Sequence, residues 1–576
     1  MKSRWKILLL LGVAAAAGIV TFLLEGFVAT PDGVALKDEL TRRHTLDDVE
    51  PEPITFELLD EARPLDLIEM SLEFPEKLRA LEGRRVRLVG FMAPYDSLND
   101  MRRCMIVPSY VGCSFCTPPS LMQVVYVRQG ERASGRFPFI ESPSDVSGIF
   151  RLPQTGSPHE GHEEGFVYVI DEAVVTPYLA SDAPERAPGH GASATTSSPD
   201  PAAHLTVPAV FEEISLDALV AEVAELRGLA PLKPVVFERI PADELIAKVR
   251  SEVGRSYPAE DREALVAAFA LLGFFEKESA DWTGLLTALG LMQRIAFVEP
   301  DGERIALLEN AATSDPFTRL ELVKDIADAL ARQHFAVARP PDRLHSDEGR
   351  TLDALRQGHK QIVAYRYARR LNLSPAARPP EGLFAGFPVI EAAPPILDLW
   401  YWLPWETGPF FVEAKTGATK GLTRIDELFE NPPRTTRELF RPNLYGVSDT
   451  ADEAIPADFA DALLPEPPDL VERFGLGGLV PWLSGSLPVD QAKSVAGRVL
   501  ADRYAVWLLP EGGAALLLET RWPDRETARR FLENVPSHPF QILTDTSTRP
   551  YAVRIIRADS EASLKRVAES LGKRTS

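Results

Sequence analysis

Positive charge is what this chain is short of. Its 62 Lys and Arg face 84 Asp and Glu, for a formal net charge of -22. That balance argues against nucleic acid as a partner, because phosphate backbones are gripped by clustered Lys and Arg. Cysteine is scarce as well. The three that occur, Cys104, Cys113 and Cys116, are too few for a disulfide framework. An odd number in an exported chain leaves at least one thiol unpaired, or all three share a ligand. A His-Glu-x-x-His run is also missing: His159 is followed by Glu160, but the next imidazole, His162, comes three residues on. Two imidazoles one helical turn apart hold zinc in such a run, and the Glu between them activates the bound water. Nor is there an internal repeat.

What is present fits a globular chain of several domains. Hydrophobic residues make up 45% and charged residues 25% of 576 residues. That is apolar enough to exclude disorder over most of the length, and too long for one core. The N-terminus carries Lys2, Arg4 and Lys6, then an uncharged apolar run from Ile7 to Leu24. Such a run just spans a bilayer core of about 30 Å. The basic flank holds its own end in the cytoplasm and sends the remainder outward. A cleaved signal peptide is the rival reading, although no small-x-small site follows the run. Both readings place the bulk of the chain in the periplasm, and the anchor reading makes it a single-pass inner-membrane protein. Residues 1–30 are therefore expected to be a signal anchor, and 31–52 a polar linker.

Alternating residues in Arg85–Met92 read as a half-buried strand, with further strands at 121–127 and 165–170. These place a small β domain at 53–175. Residues 176–206 turn to Ala, Pro, Ser and Thr and read as a linker. From 207 to 576 the pattern is mainly helical, at 212–227, 242–254, 257–275 and 316–335. Asp315 before Pro316 gives the last of these a capping acid and a first-turn proline. A strand pair at 504–509 and 514–520, with helices at 524–534 and 559–571, closes the chain as an α/β portion.

Cys113-Ser-Phe-Cys116 places two thiols within reach of one metal ion, and Cys104 can add a third. His159 and His162, in an acidic loop of the same domain, are candidate further ligands, and His190 and His204 lie in the linker. Soft thiolates suit zinc or Cu(I). The same spacing permits a thiol-disulfide couple or a plain structural disulfide, and the sequence leaves these open.

Leu81-Glu-Gly-Arg-Arg-Val-Arg-Leu-Val-Gly-Phe-Met-Ala-Pro94, followed by Cys113-Ser-Phe-Cys-Thr-Pro-Pro119 and Gln123–Val127, resembles an uncharacterised family of exported bacterial proteins. The resemblance implies an OB-like β-barrel over about 53–175, an envelope location and a link to metal handling. It implies no established activity.

A second resemblance covers 207–576. Leu320–Phe335 is similar to the active-site helix of a gluzincin-like zinc metallopeptidase family, keeping Ala329, Leu330, Gln333, His334 and Phe335 of its tail. Lys324 stands for the first zinc-binding His, Asp325 for the catalytic Glu and Asp328 for the second His. Ala354–His359 resembles the segment of the third ligand, with Gln357 in place of the Glu. Trp402–Val412, Asn431–Tyr445 and Ala496–Tyr504 resemble later segments in order. A Lys ammonium cannot bind zinc and Gln is a poor ligand. The expectation is a zincin-like domain without catalysis, in which Lys324 and Asp328 form an i,i+4 salt bridge. His334, His345 and His359 lie near the degenerate positions as candidates for a relocated metal. The whole reads as a multidomain α+β envelope protein that binds or scaffolds a protein or peptide through an inactive cleft. A metal-handling role at the cysteines is the alternative, and a thiol-disulfide role a further one.

Overall fold

The computed structural model describes residues 50–68, 71–94, 101–108, 121–129, 139–140, 142–152, 167–178, 213–275, 282–291, 294–370, 395–417, 422, 424–447, 455–456, 458–460, 463–545 and 551–575. The apolar run 7–24, Cys113, Cys116, His159, His162, His190 and His204 lie outside them. No described helix is long and apolar enough to cross a membrane.

The first domain is a barrel. Its strands are β1 (Glu52–Pro53), β4 (Arg85–Pro94), β5 (Arg103–Val107), β6 (Val125–Arg128), β7 (Ser144–Arg151) and β8 (Tyr168–Pro177). They run in the order β1-β4-β5-β6-β8-β7, and β7 returns to pair with β4. Five strands therefore close on themselves, as in a small OB-like domain. Alternation supplies the core: Val86, Leu88, Cys104, Ile106, Val125, Val127 and Ile170 point inward. Closure needs a sharp bend, and Gly148 sits where the β7–β8 register shifts. A Cβ there would lie 2.6 Å from the Asp171 carbonyl oxygen, so only glycine fits the bulge.

Between β1 and β4 the chain forms helix α1 (Phe56–Leu59), a ribbon of β2 (Arg63–Asp66) with β3 (Ser71–Glu73), and helix α2 (Glu76–Arg79). The end of β2 reaches into the second domain. Leu67 is fully buried there, and its N–H donates to the Phe440 carbonyl at 2.7 Å. Asp66 pairs with Arg441 at 2.7 Å. The two domains thus share a joint of apolar and ionic contacts.

The second domain begins at α3 (Leu216–Arg227), capped by Ser215, whose side chain accepts from the Ala218 N–H. Then follow β9 (Val236–Ile240), α4 (Ala242–Ser256), α5 (Ala259–Leu272), α6 (Trp282–Leu291), β10 (Ala296–Val298), β11 (Arg304–Leu308), α7 (Pro316–His334), α8 (Asp347–Arg370) and α9 (Pro395–Thr416). Asp315 caps α7 by accepting from the Thr318 N–H, with Pro316 in the first turn. Strand β11 lies between β9, to which it is parallel, and β10, to which it is antiparallel. Short helices α10 (Arg424–Glu430) and α11 (Thr436–Phe440) lead to β12 (Leu470–Glu472), α12 (Gly475–Ser484) and α13 (Val489–Ala496).

The chain ends in an antiparallel sheet. Its remaining strands are β13 (Ala501–Leu508), β14 (Ala514–Trp522), β15 (Gln541–Asp545) and β16 (Tyr551–Ala558), in the order β12-β13-β14-β16-β15. Helices α14 (Arg525–Glu533) and α15 (Glu561–Thr575) accompany it. The predicted helices and strand pair of this region fall on observed elements. Helices α8 and α9 were not foreseen.

Candidate functional site

Helices α8 and α9 explain why the second domain has a cleft. Helix α9 contains Pro404 and Pro409. Each proline lacks an N–H and so frees the carbonyl four residues earlier. Both freed groups find partners on α8: Arg350 donates to the Trp400 carbonyl, and Gln361 donates to that of Trp405 at 3.2 Å. The Arg350 guanidinium also lies over the Trp400 ring, 4.1 Å from its centroid. At the crossing the two backbones nearly touch. A Cβ on Gly408 would fall 2.0 Å from the Ala354 carbonyl oxygen, and one on Gly358 would fall 2.4 Å from Gly408. Glycine at both positions lets the helices approach this closely.

Helix α7 packs on the same α8 and brings its charges with it. The expected Lys324–Asp328 pair does not form. Lys324 instead binds Glu321 at 2.6 Å, and Asp328 binds Arg332 at 2.5 Å and Arg356 of α8 at 3.3 Å. Local spacing offers Asp328 two partners four residues away, Lys324 and Arg332; it takes Arg332, together with Arg356 of the neighbouring helix. Asp325 pairs with Lys360, also from α8, at 3.5 Å. Nearby, Glu252 of α4 holds Arg294 at 2.5 Å.

Burial works against every one of these charges, and their partners decide the outcome. Burial raises the Asp325 carboxyl to about 6, which Lys360 offsets only in part. It opposes ionisation of Asp328 too, yet Arg332, Arg356 and Lys360 together hold that carboxyl well below the usual range. Gln357 donates to Asp353 at 3.2 Å. These side chains enclose a cavity of about 70 Å³, lined by Glu252, Glu321, Asp325 and Asp353 against Arg294, Arg350, Arg356 and Lys360, with Gln357, Tyr257 and Tyr401. Its chemistry is that of a charge-compensated interior. The basic partners Arg332, Arg356 and Lys360 escaped the sequence reading, although Asp328 and Arg332 stand at i,i+4.

The three histidines are not brought together. His334 bonds the Ala230 carbonyl at 2.7 Å. His345 is enclosed near Asp261, at 3.8 Å, and burial lowers its imidazole to about 4. His359 accepts from Arg227 at 2.8 Å and meets the Phe429 ring edge-on. Among the described residues no three His, Cys, Asp or Glu side chains gather as a metal-ligand group. Cys104 lies in the barrel core, where burial pushes its thiol up to about 12. The other four candidate ligands, Cys113, Cys116, His159 and His162, fall outside the described residues.

Pro341 lines the charged cavity and also an open groove of about 960 Å³ beyond it. The groove lies along the start of α8. Gly349 there lets the preceding loop pass close, since a Cβ would meet the Arg343 carbonyl oxygen at 1.9 Å. Below it Asp347 is 3% exposed and accepts from both the N–H and the hydroxyl of Thr436. Burial, with Asp502 nearby, raises its carboxyl to about 7.

Residues 64–166 match the family described as Protein of unknown function (DUF3299), and the barrel is a domain of that kind. Among solved structures, a DUF3299 family protein from Pseudomonas aeruginosa is 21% identical. The match covers 23% of this chain and 98% of that one, with a TM-score of 0.17. No curated protein matches the chain.

Proposed function

We propose that this is a membrane-anchored envelope protein whose second domain is a non-catalytic, peptidase-like binding module. One observation carries the reading. Lys324, Asp325, Asp328 and Gln357 are each engaged by a neighbouring side chain, in or beside a small charged cavity. A hydrolytic zinc centre needs neutral imidazoles or free carboxylates and an open coordination position. Here each of the four carboxylates lining the cavity is already paired with a cation: Glu252 with Arg294, Glu321 with Lys324, Asp325 with Lys360 and Asp353 with Arg356. What such a domain retains is shape and surface, which suffice for binding a partner. Residues 7–24 support an inner-membrane anchor with the rest periplasmic.

The metal-handling alternative draws less support. Of its proposed ligands only Cys104 lies among the described residues, and its side chain packs into the apolar core of the barrel.

The test is an assay of the purified full chain against an unfolded protein substrate, with zinc and with a chelator. No cleavage is expected in either condition. Proteolysis that zinc supports and the chelator abolishes would overturn the proposal.

A further inference from the structure

The groove beyond Pro341 stands out in a chain of net charge -22 because arginines converge on it. Four line it: Arg343, Arg434, Arg473 and Arg503. Arg343 is engaged, by Asp261 at 3.1 Å and Glu472 at 3.3 Å. The other three guanidinium groups have no hydrogen bond or ion pair among the described residues. Partial burial and the repulsion of Arg473 lower the proton affinity of Arg503, outweighing the pull of Glu472 and Asp502. Of the carboxylates lining the groove, Glu472 is taken by Arg343 and Asp347 by Thr436.

We propose that this groove binds a compact phosphate group, a phosphate monoester or a diphosphate, through Arg434, Arg473 and Arg503. The planar fork of a guanidinium matches phosphate oxygens two at a time. A dianion relieves the mutual repulsion of two arginines, whereas a single carboxylate neutralises only one. The exposed carboxylates of Asp342 and Glu348 also line the groove and repel an extended polyanion. That selects a small group over a nucleic acid. The groove volume suits a small molecule. The inference names a ligand chemistry that the non-catalytic reading does not require. Its test reads binding and is blind to hydrolysis, so the two can fail separately.

The same group can come from a soluble compound or from a lipid headgroup, and two titrations separate these. Full-length protein in detergent is titrated with sodium pyrophosphate at constant ionic strength, followed by calorimetry. Reconstituted protein is titrated with phosphatidylcholine vesicles with and without phosphatidic acid. Saturable binding in at least one arm is expected. It should weaken about tenfold or more in Arg473→Gln/Arg503→Gln, because charge-assisted hydrogen bonds are the strong ones. The thermal midpoint without ligand should not move. Arg529→Gln, which removes an exposed helical pair with Glu526 and Glu533, serves as the control and should bind as wild type. Binding confined to the phosphatidic acid vesicles assigns the lipid source. Absence of saturable binding in both arms, or binding that the double variant retains, overturns the proposal.

Discussion

The barrel and the helical cleft reach a packed interior by opposite routes. The barrel closes its hydrogen bonds strand to strand and fills the space inside with aliphatic and aromatic side chains, methionines and one thiol. Its ionic pairs stand on the outside: Arg87 and Asp145 are 31% and 18% exposed. The cleft puts ionic pairs inside, where Asp328 and Arg332 are 2% and 3% exposed. The difference teaches that one chain uses the same Arg–Asp chemistry as trimming in one domain and as structure in the other. Low dielectric decides which. A buried charge is costly to leave alone, and a wetted one is not.

The largest effect is therefore expected at Asp328. Asp328→Asn removes the countercharge of Arg332, and leaves Arg356 with Asp353 alone, while keeping the size of the side chain. Leaving a buried charge unpaired costs about 3–5 kcal/mol. Urea unfolding followed by tryptophan fluorescence reports it, since Trp400 lies in the same domain. A loss below about 1 kcal/mol would mean that water reaches the pair, and the contrast with the barrel would dissolve.

Next in size is the helix crossing. Gly408→Val places a side chain against the Ala354 carbonyl and must push α8 and α9 apart. About 3 kcal/mol is expected, the upper part of the range for overpacking. Such a variant should also widen the charged cavity, seen as faster hydrogen exchange in α8. If stability holds and exchange is unchanged, the two backbones are not in contact.

These two sites also show what could be read from residues alone. Helix α7 was legible because Asp315 and Pro316 mark its start and apolar residues recur at helical spacing. Strand β4 was legible because Arg85 and Arg87 alternate with Val86 and Leu88. Helix α8 was not, because its buried face carries Arg350, Arg356, Gln357, His359 and Gln361, which look like surface residues in a sequence. Helix α9 was hidden by two internal prolines, whose freed carbonyls are satisfied only by α8. Neither helix can be inferred without the other. Asp328 has a basic residue four positions away on either side, Lys324 and Arg332, and helical spacing alone does not choose between them; Arg356, 28 residues away on another helix, lies beyond what spacing can count. The barrel's closure likewise joins β4 to β7, far apart in sequence, and was expected from a family resemblance and not from periodicity.

A smaller effect should appear with pH. Burial lifts Asp347 from 3.8 to about 7 in the folded chain. Below about pH 4 folded and unfolded states are both protonated there, and no penalty exists. As pH rises toward 7 the unfolded state loses its proton first, so stability falls, and above 7 the loss is complete. Each unit corresponds to about 1.4 kcal/mol. Relaxation and water entry when the buried carboxylate ionises keep the expected net at roughly 1–3 kcal/mol. Asp347→Asn keeps an acceptor for Thr436 and cannot ionise. It should match wild type near pH 4 and exceed it at pH 8, measured by urea midpoints. Asp328 has the opposite sign, since its depressed carboxyl stabilises the fold until strong acid. A variant-to-wild-type gap that stays constant from pH 4 to 8 would show that Asp347 is not held neutral.

The smallest effect belongs to the barrel and completes the comparison. Asp145→Asn weakens the bidentate pair with Arg87 across β4 and β7, whose hydrogen bonds to the two carboxylate oxygens lie at 3.0 and 2.5 Å. The geometry is as short as that of Asp328 with Arg332. Distance alone therefore forecasts equal losses. Exposure forecasts otherwise, because water takes up Arg87 once the carboxylate is gone, leaving about 0.2–1 kcal/mol. The two variants thus hold the length of the shortest contact fixed while the surroundings differ, with Arg356 a second partner at Asp328 alone. Added salt should shrink the barrel effect further and leave the cleft effect nearly unchanged, since screening acts on wetted charges first. Equal losses at Asp145 and Asp328 would show that contact geometry, and not burial, sets the worth of these pairs.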